Sequence, residues 1–443
     1  MLEALYIIIA LGLTILFHEM GHFFAAKSLN IGVEKFSIGL GPKLVSFKKG
    51  ETEYLISLLV VLGGYVQLAG ENPDELDPND KKAFLNQHPI KKIIVASSGV
   101  IQNIFLAFLL MWFVFIIGTD TLKPVIGEVK HGYPAFEAGL QKGDEIIKIN
   151  DKRVKYWNEV SEIITGLKEE QITFVVLRDN KELVFNIKPK IEETEDILKD
   201  KKKKPVVGIS PLAFLPIVDD VKKEFPAYNA GIKKGDVIIS IDGKKITYWE
   251  EVTDMVEKSK KDLKIKVQRN GEIKEFVITP KIVEEEAKDK TKIKRKVIGI
   301  VPKPNSTKEK YGILKASDRA FAQVVNFTDL TVRSIYKMIM RKIEPDVAGP
   351  IGVIQISYEV AKTGIVNLMF LFAIININLA LINFVPLLPL DGGLVLIFII
   401  EWIRGKMVPL KVQETLMQLG WMLLIFLLIF ATYQDILRFF SGS

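Results

Sequence analysis

Phe17-His18-Glu19-Met20-Gly21-His22-Phe23 sets two histidines four residues apart with a glutamate behind the first, inside an apolar run that begins at Ala4. Residues four apart share a helix face, so His18 and His22 can aim their imidazoles at one metal ion. Glu19 flanks that face and can take a proton from an activated water. Ala4–Phe17 carries no charge, and Phe23–Ala26 is apolar again. The ionisable groups are thus held within, or at the edge of, hydrocarbon, where they are costly and mark function. Three fixed positions recur by chance. The setting is what decides, because lipid offers these groups no water and a metal gives them a partner.

Working outward, composition describes a chain that is part membrane and part water-exposed: of 443 residues, 49% are apolar yet 26% are charged. The net charge of +7 comes without aromatic-basic interleaving, which argues for apposition to a membrane and against nucleic acid as partner. Cysteine is absent, so disulfides and thiolate metal ligands are excluded. The four histidines are His18, His22, His88 and His131, and the last two lie in polar stretches that predict solvated side chains. The apolar N-terminal run has no basic lead-in or small-residue cleavage site. It reads as a retained first span and not as a signal peptide.

Hydropathy predicts a polytopic α-helical membrane protein with about four transmembrane helices. The membrane part begins as 1–118, with a first span at about 4–26, a β-rich loop over 27–92 and a second span at about 93–118. Val33–Val66 alternates and holds Gly63-Gly64-Tyr65, which predicts strands and turns close to the membrane. In the second span, Gly99 and Asn103 stand one turn apart, and helix packing is the favoured reading of that spacing. An amphipathic connecting region covers 297–364, with a helical period over Leu314–Ile343. The second membrane part is 365–443, with a third span at about 365–388 and a fourth at about 414–434.

Between the membrane parts the chain repeats itself. The stretch from Pro134 recurs from Pro226 with 15 of 27 positions identical, including Ala-Gly, Gly-Asp and Tyr-Trp pairs. Two copies of one supersecondary unit account for this, over 119–195 and 205–283. The lysine-rich run Asp196–Lys204 predicts a solvated linker, and Glu284–Lys296 a similar charged exit. The pattern P-A-x-x-A-G-(L/I)-x-x-G-D resembles PDZ domains in their bacterial protease-associated form, which bind peptides by adding a strand to their own sheet.

Charge then orients the chain. Nine lysines fall in Lys27–Lys92 and three basic residues in Arg404–Lys411, which puts both loops on the cytoplasmic side and the tandem repeat on the other. A catalytic zinc takes three protein ligands and leaves a position open. Two carboxylates elsewhere lie in apolar sequence. Glu401 stands three residues before Arg404, which predicts a local ion pair. Asp391 has no such neighbour, and it follows Pro386 and Pro389 at a helix break. Irregular backbone at membrane depth is tolerated where it is buried or lines a cavity, so Asp391 is the expected third ligand. Asn378 and Asn383 are candidates to hold an extended substrate, with helix–helix hydrogen bonding as the competing role.

Together, H-E-x-x-H, G-x-x-x-N, the tandem repeat and N-x-x-P-x-x-x-L-D-G resemble the site-2 protease family, in its form with two PDZ domains that regulates sigma-E. The resemblance covers nearly the whole chain. It implies a zinc endopeptidase of the bacterial inner membrane, with two inserted extracytoplasmic PDZ-like α/β domains and a small membrane-associated β-hairpin. Its implied substrate is a single-pass membrane peptide, either an anti-sigma factor already cut by a first protease or a remnant signal peptide. The PDZ pair would act as a size filter. By residue, it implies His18, His22 and Asp391 as zinc ligands and Glu19 as the catalytic group. It makes Asn378, Asn383 and Pro386 substrate-binding, with Gly63, Gly64 and Tyr65 in the guiding hairpin. Val100 stands where the family often has proline, and the second proline of the L-D-G motif is displaced to Pro389. The competing readings are a non-catalytic PDZ scaffold and a metal transporter. Neither makes use of the intact His18, Glu19, His22 and Asp391 together with the repeat.

Overall fold

The computed structural model describes residues 2–72, 76–166, 171–286, 292–343 and 348–441. In chain order, α1 (Leu2–Ser28), β1 (Val33–Lys49), β2 (Thr52–Leu68) and α2 (Pro89–Ile117) come first. Then follow β3 (Thr119–Leu122), β4 (Ile126–Val129), α3 (Pro134–Glu137), β5 (Glu145–Ile149), β6 (Lys152–Arg153), α4 (Trp157–Gly166), β7 (Ile172–Arg178), β8 (Lys181–Ile187), β9 (Lys190–Glu195), β10 (Lys201–Val206) and β11 (Ile209–Pro211). The same order returns as β12 (Phe214–Val221), α5 (Pro226–Ala230), β13 (Val237–Ile241), β14 (Lys244–Lys245), α6 (Trp249–Lys258), β15 (Leu263–Arg269), β16 (Glu272–Ile278), β17 (Lys281–Glu286), β18 (Lys292–Val297) and β19 (Ile300–Pro304). β20 (Ser306–Glu309), α7 (Ile313–Ile339), α8 (Pro350–Lys362), α9 (Ile365–Asn383), α10 (Asp391–Arg404) and α11 (Leu410–Ser441) complete the chain. Two compact units result: Met1–Thr119 with Lys310–Ser443, and Asp120–Glu309.

In the first unit α1, α2, α9 and α11 are long and apolar enough to cross a membrane. Their ends differ from the hydropathy reading for local reasons. α2 begins at Pro89, whose missing N–H costs nothing there, and the exposed His88 side chain accepts a hydrogen bond from Ile90 N–H. The helix therefore takes in Lys91 and Lys92, which hydropathy had excluded. α9 stops at Asn383 and not at 388, because Pro386 and Pro389 cannot continue it. α11 runs beyond 414–434 at both ends and includes Asp435 and Arg438. The stretch from Asp391 is the 14-residue α10, ended by Gly405 in the left-handed conformation (φ 68°). The region 297–364 holds strands as well as the amphipathic α7 and α8. The stretch that follows Leu314–Ile343 lies partly outside the described residues, at 344–347. Past it, Gly349 and Gly352 leave room for the Asp435 carboxylate, which accepts both of their N–H groups at 3.0 and 2.8 Å.

The loop after α1 is the expected β structure. Phe36 opposes both Val66 and Tyr54, and Ser37 opposes both Tyr65 and Leu55, so the first half of β1 lies between two segments of β2. The segment Gly64–Leu68 has its ladder partners on that half of β1 alone.

In the second unit each repeat copy closes on itself. β6-β5-β7-β8 form one sheet while β4 pairs with β11, and the second copy joins the matching strands as β16-β15-β13-β12-β19 with β14 on β13. β3 and β20, the entry and exit strands, pair with each other. The charged runs read as linker and exit form paired strands, with residues 287–291 of the second lying outside the described residues. Lys201–Val206 pairs with Lys190–Glu195, and Lys292–Val297 with Lys281–Glu286. Lysines on one strand face acids on the other, as in Lys201–Glu193 at 3.3 Å and Lys294–Glu284 at 3.6 Å. Opposite charges across a ladder favour pairing, and a run of one sign hides this in sequence. His131 is exposed, its ring beside Phe136.

The repeated Gly-Asp has a mechanical role. Asp144 takes Arg178 Nε and Nη2 at 2.6 and 2.7 Å, and Asp236 takes Arg269 at the same two distances. Each arginine also donates to the carbonyl of the repeat's earlier glycine, Gly139 or Gly231, and both of these adopt φ near 90°, where a side chain would be strained. Asp236 is fully buried, and although burial opposes it, Arg269 holds the carboxyl below its usual range. A carboxyl lowered by folding stabilises the fold above its unfolded pKa, and that stability is lost as pH falls through the folded value. Asp236→Asn should therefore lower hydrogen-exchange protection of β13 and β15 by about 2–4 kcal/mol at neutral pH, reduced from full burial because Arg269 meets water. The gap to wild type should narrow below about pH 4. Equal protection in both proteins at pH 7 would count against the brace.

Candidate metal centre

His18 and His22 lie on one face of α1, and Asp391 opens α10. His18 Nε2 is 3.4 Å from His22 Nε2, and Asp391 Oδ2 stands 3.3 and 3.5 Å from the two nitrogens. A tetrahedral zinc bound at about 2.0–2.1 Å separates its ligand atoms by about 3.3–3.4 Å. The triangle fits that ion. Asp391 Oδ2 is buried and makes no hydrogen bond, which is the condition of an atom waiting for a cation. Among the described residues His18, His22 and Asp391 form the one cluster of this kind.

α2 holds the imidazoles. His22 Nδ1 lies 2.8 Å from the Val95 carbonyl, which fixes the proton on Nδ1 and leaves Nε2 free to ligate. His18 Nδ1 lies 3.2 Å from the Asn103 amide. The amide O and N are interchangeable in shape. With Oδ1 turned toward His18, it accepts the Nδ1 proton, and an oxygen otherwise buried without a partner is satisfied. Both contacts orient a ligand through its far nitrogen. Gly99 stands between them, and a Cβ there would overlap both imidazoles. Gly21 lets α1 meet the backbone of α2 at Ser98. The Gly99–Asn103 spacing thus serves the imidazoles directly, where packing alone was the favoured reading. Sequence inspection missed the Val95 carbonyl, since no side chain announces it.

Glu19 shares a cavity of about 190 Å³ with His18, His22, Asp391, Tyr65, Val66 and Glu71. Gly64 packs on Glu19, its absent Cβ 3.1 Å from Glu19 Cγ. The structure therefore brings Gly64 and Tyr65 to the cavity, with Gly63 beside them in β2 (φ 157°). Asn383 ends α9 and Pro386 is exposed in the turn before Asp391. Asn378 is placed differently: its Oδ1 accepts from Thr331 Oγ1 at 2.9 Å, tying α9 to α7. Glu71, not anticipated from sequence, takes Leu68 N–H at 3.1 Å at the cavity wall.

Two histidines and a carboxylate meeting among apolar helices, with a glutamate in the same cavity, define a metallopeptidase built into membrane-type helices. Comparison with known proteins agrees. The model of peptidase family M50 matches residues 6–427. The regulator of sigma E protease of Salmonella typhi is 30% identical over 452 residues, covering 97% of both chains. The regulator of sigma-E protease RseP of Escherichia coli K12 is 30% identical over 447 residues, again covering 97% of both. A Neisseria meningitidis protein named as a zinc metalloprotease is 28% identical over 443 residues, 97% of this chain and 98% of its own. The chain belongs to peptidase family M50, and it is a zinc metalloprotease.

Replacing Asn103 by leucine should raise the zinc dissociation constant about 10–100-fold while the helices remain folded. Competition against a chromophoric chelator in detergent measures this, and unchanged affinity would show that the amide contributes only packing.

Proposed function

We propose that this protein is an intramembrane endopeptidase of the inner membrane that cuts single-pass membrane substrates within or near the bilayer. The observation that carries the reading is the triangle of His18 Nε2, His22 Nε2 and Asp391 Oδ2 with Glu19 in the same cavity, three of these four residues lying on a helix apolar enough to span. Zinc on these three residues would polarise the scissile carbonyl and lower the pKa of the attacking water. Glu19 receives the proton of that water and delivers it to the leaving amine nitrogen. The segment Gly64–Leu68 offers backbone groups beside the cavity, so an extended substrate can pair with it as an added strand. Asn383, Pro386, Gly63 and Tyr65 border the path, and Asn378 joins it if Thr331 releases it.

The substrate class suggested by relatives named as regulators of sigma E is an anti-sigma factor already shortened by another protease. The two repeat copies are PDZ-type modules on the outer face that pass short ectodomains and exclude folded ones. The active site lies toward the cytoplasmic side, as the lysine-rich loop suggests.

The test is cleavage of a tagged single-span substrate, shortened on its outer side, by detergent-purified protein with bound zinc counted. Glu19→Gln should keep zinc and lose about 10²–10⁴ of the rate. Asp391→Asn should lose both zinc and cleavage. Chelation should abolish cutting and zinc restore it. Cutting by Glu19→Gln at the wild-type rate would refute its assignment.

A further inference from the structure

The sequence led to an expected local ion pair between Glu401 and Arg404. Instead, Glu401 Oε2 accepts from Lys92 Nζ at 2.7 Å, with the two side chains only 3% and 2% exposed. Glu401 Oε1 takes Val408 N–H at 3.1 Å, and the Lys92 ammonium stands 4.8 Å from the centre of the Phe398 ring. This pair belongs to none of the ligands, yet it joins α2, which holds both imidazoles in place, to α10, which begins with Asp391.

Its placement gives it a role. Lys92, Val95, Gly99 and Asn103 lie on one face of α2, at steps of three and four. Along that face come the Glu401 carboxylate, His22 Nδ1, the two imidazole rings and His18 Nδ1, in that order. One helix face therefore sets both imidazoles and also grips α10, whose first residue is Asp391. The rest of the meeting between α2 and α10 is apolar, with Val95 and Ala96 in one buried cluster with Val395 and Phe398. Apolar contact is non-directional and lets one helix slide or turn on another. At its other end α10 packs on the turn after α9, where Gly392 and Gly393 meet the backbone of Phe384 to Leu388.

We propose that Lys92 and Glu401 are positioning residues for the metal centre: their buried ion pair sets the register of α10 on α2, and so the place of Asp391 against His18 and His22. A buried ion pair is a poor stabiliser compared with apolar side chains of similar size. What it supplies is a single geometry, because two charges without water have one good arrangement. Glu401 lies about 15 Å along α10 from Asp391, so a small turn or slide at the pair moves the carboxylate by a comparable amount.

This inference rests on the ligand assignment above, and the experiment separates the two. Full-length protein in detergent is stripped of metal and titrated with zinc against a competing chelator, and the melting temperature of the stripped protein is read alongside. Lys92→Met/Glu401→Leu should melt at or above the wild-type temperature, yet bind zinc about tenfold or more weakly. Lys92→Arg, which keeps the pair, should bind within about twofold of wild type. Wild-type zinc affinity in the double variant overturns the proposal, as does a loss that simply follows a lowered melting temperature. If the double variant does not fold, Glu401→Gln decides, since it keeps the side chain's shape and one accepting oxygen while it removes the charge and one of the two hydrogen bonds: weaker zinc supports the role and unchanged zinc overturns it. Asp391→Asn runs beside them, and wild-type zinc affinity there means that the ligand assignment itself has failed.

Discussion

The absence of water around apolar helices is the constraint on which the membrane unit depends. Every polar group placed there needs a partner from the protein. α2 meets most of that demand. Its Lys92 takes Glu401, its Val95 carbonyl takes His22, and its Asn103 amide takes His18. Asp435 is answered in the same way by two backbone N–H groups at the start of α8. What is left is Asp391 Oδ2, facing two imidazole nitrogens at 3.3 and 3.5 Å. Once the other partners are assigned, these three atoms remain together, at a spacing that a cation would satisfy.

The helix break before Asp391 follows from the same constraint. A continuous helix from Ile365 onward would carry Asp391 past the imidazoles. Pro386 and Pro389 stop α9, and the chain turns so that α10 can start beside α1. That turn works because Gly392 and Gly393 let α10 lie on the turn's own backbone, and Gly420 of α11 closes on the Leu388 carbonyl. The displaced second proline therefore still stands inside the turn, at Pro389, and Val100 is simply a buried residue of α2. Glycine recurs wherever an imidazole or a backbone must come closer than a Cβ allows, as at Gly21, Gly64 and Gly99.

Features carried by side-chain period or by motif spacing were legible in the sequence. The four spans, the β-rich loop after the first, the duplicated unit and the meeting of His18, His22 and Asp391 all belong here. Features carried by pairing between distant segments were not. Asp196–Lys204 and Glu284–Lys296 read as solvated runs because ion pairs such as Lys201–Glu193 and Lys294–Glu284 form only once the strands are in register. Glu401 read as paired with Arg404 because its partner Lys92 is 309 residues away. Gly99 and Asn103 read as packing because a gap and an amide show their purpose only when the imidazoles are in place. A backbone carbonyl such as that of Val95 has no sequence signature at all.

The carboxylates of this chain show how satisfaction separates structure from chemistry. Asp144 and Asp236 each receive both arms of an arginine and a backbone N–H, at Gln141 or Lys233, so they have no capacity left for a substrate. Glu401 spends both oxygens, one on Lys92 and one on Val408 N–H, and stays a fixed point. Asp391 and Glu19 differ from these. They lie in the same cavity, and Asp391 keeps an unpaired oxygen toward the imidazoles. Reactivity here is a matter of which carboxylates the fold leaves incomplete. A site of that kind is stable only if its surroundings are complete, because one loosened support would let the open oxygen find a partner other than the metal.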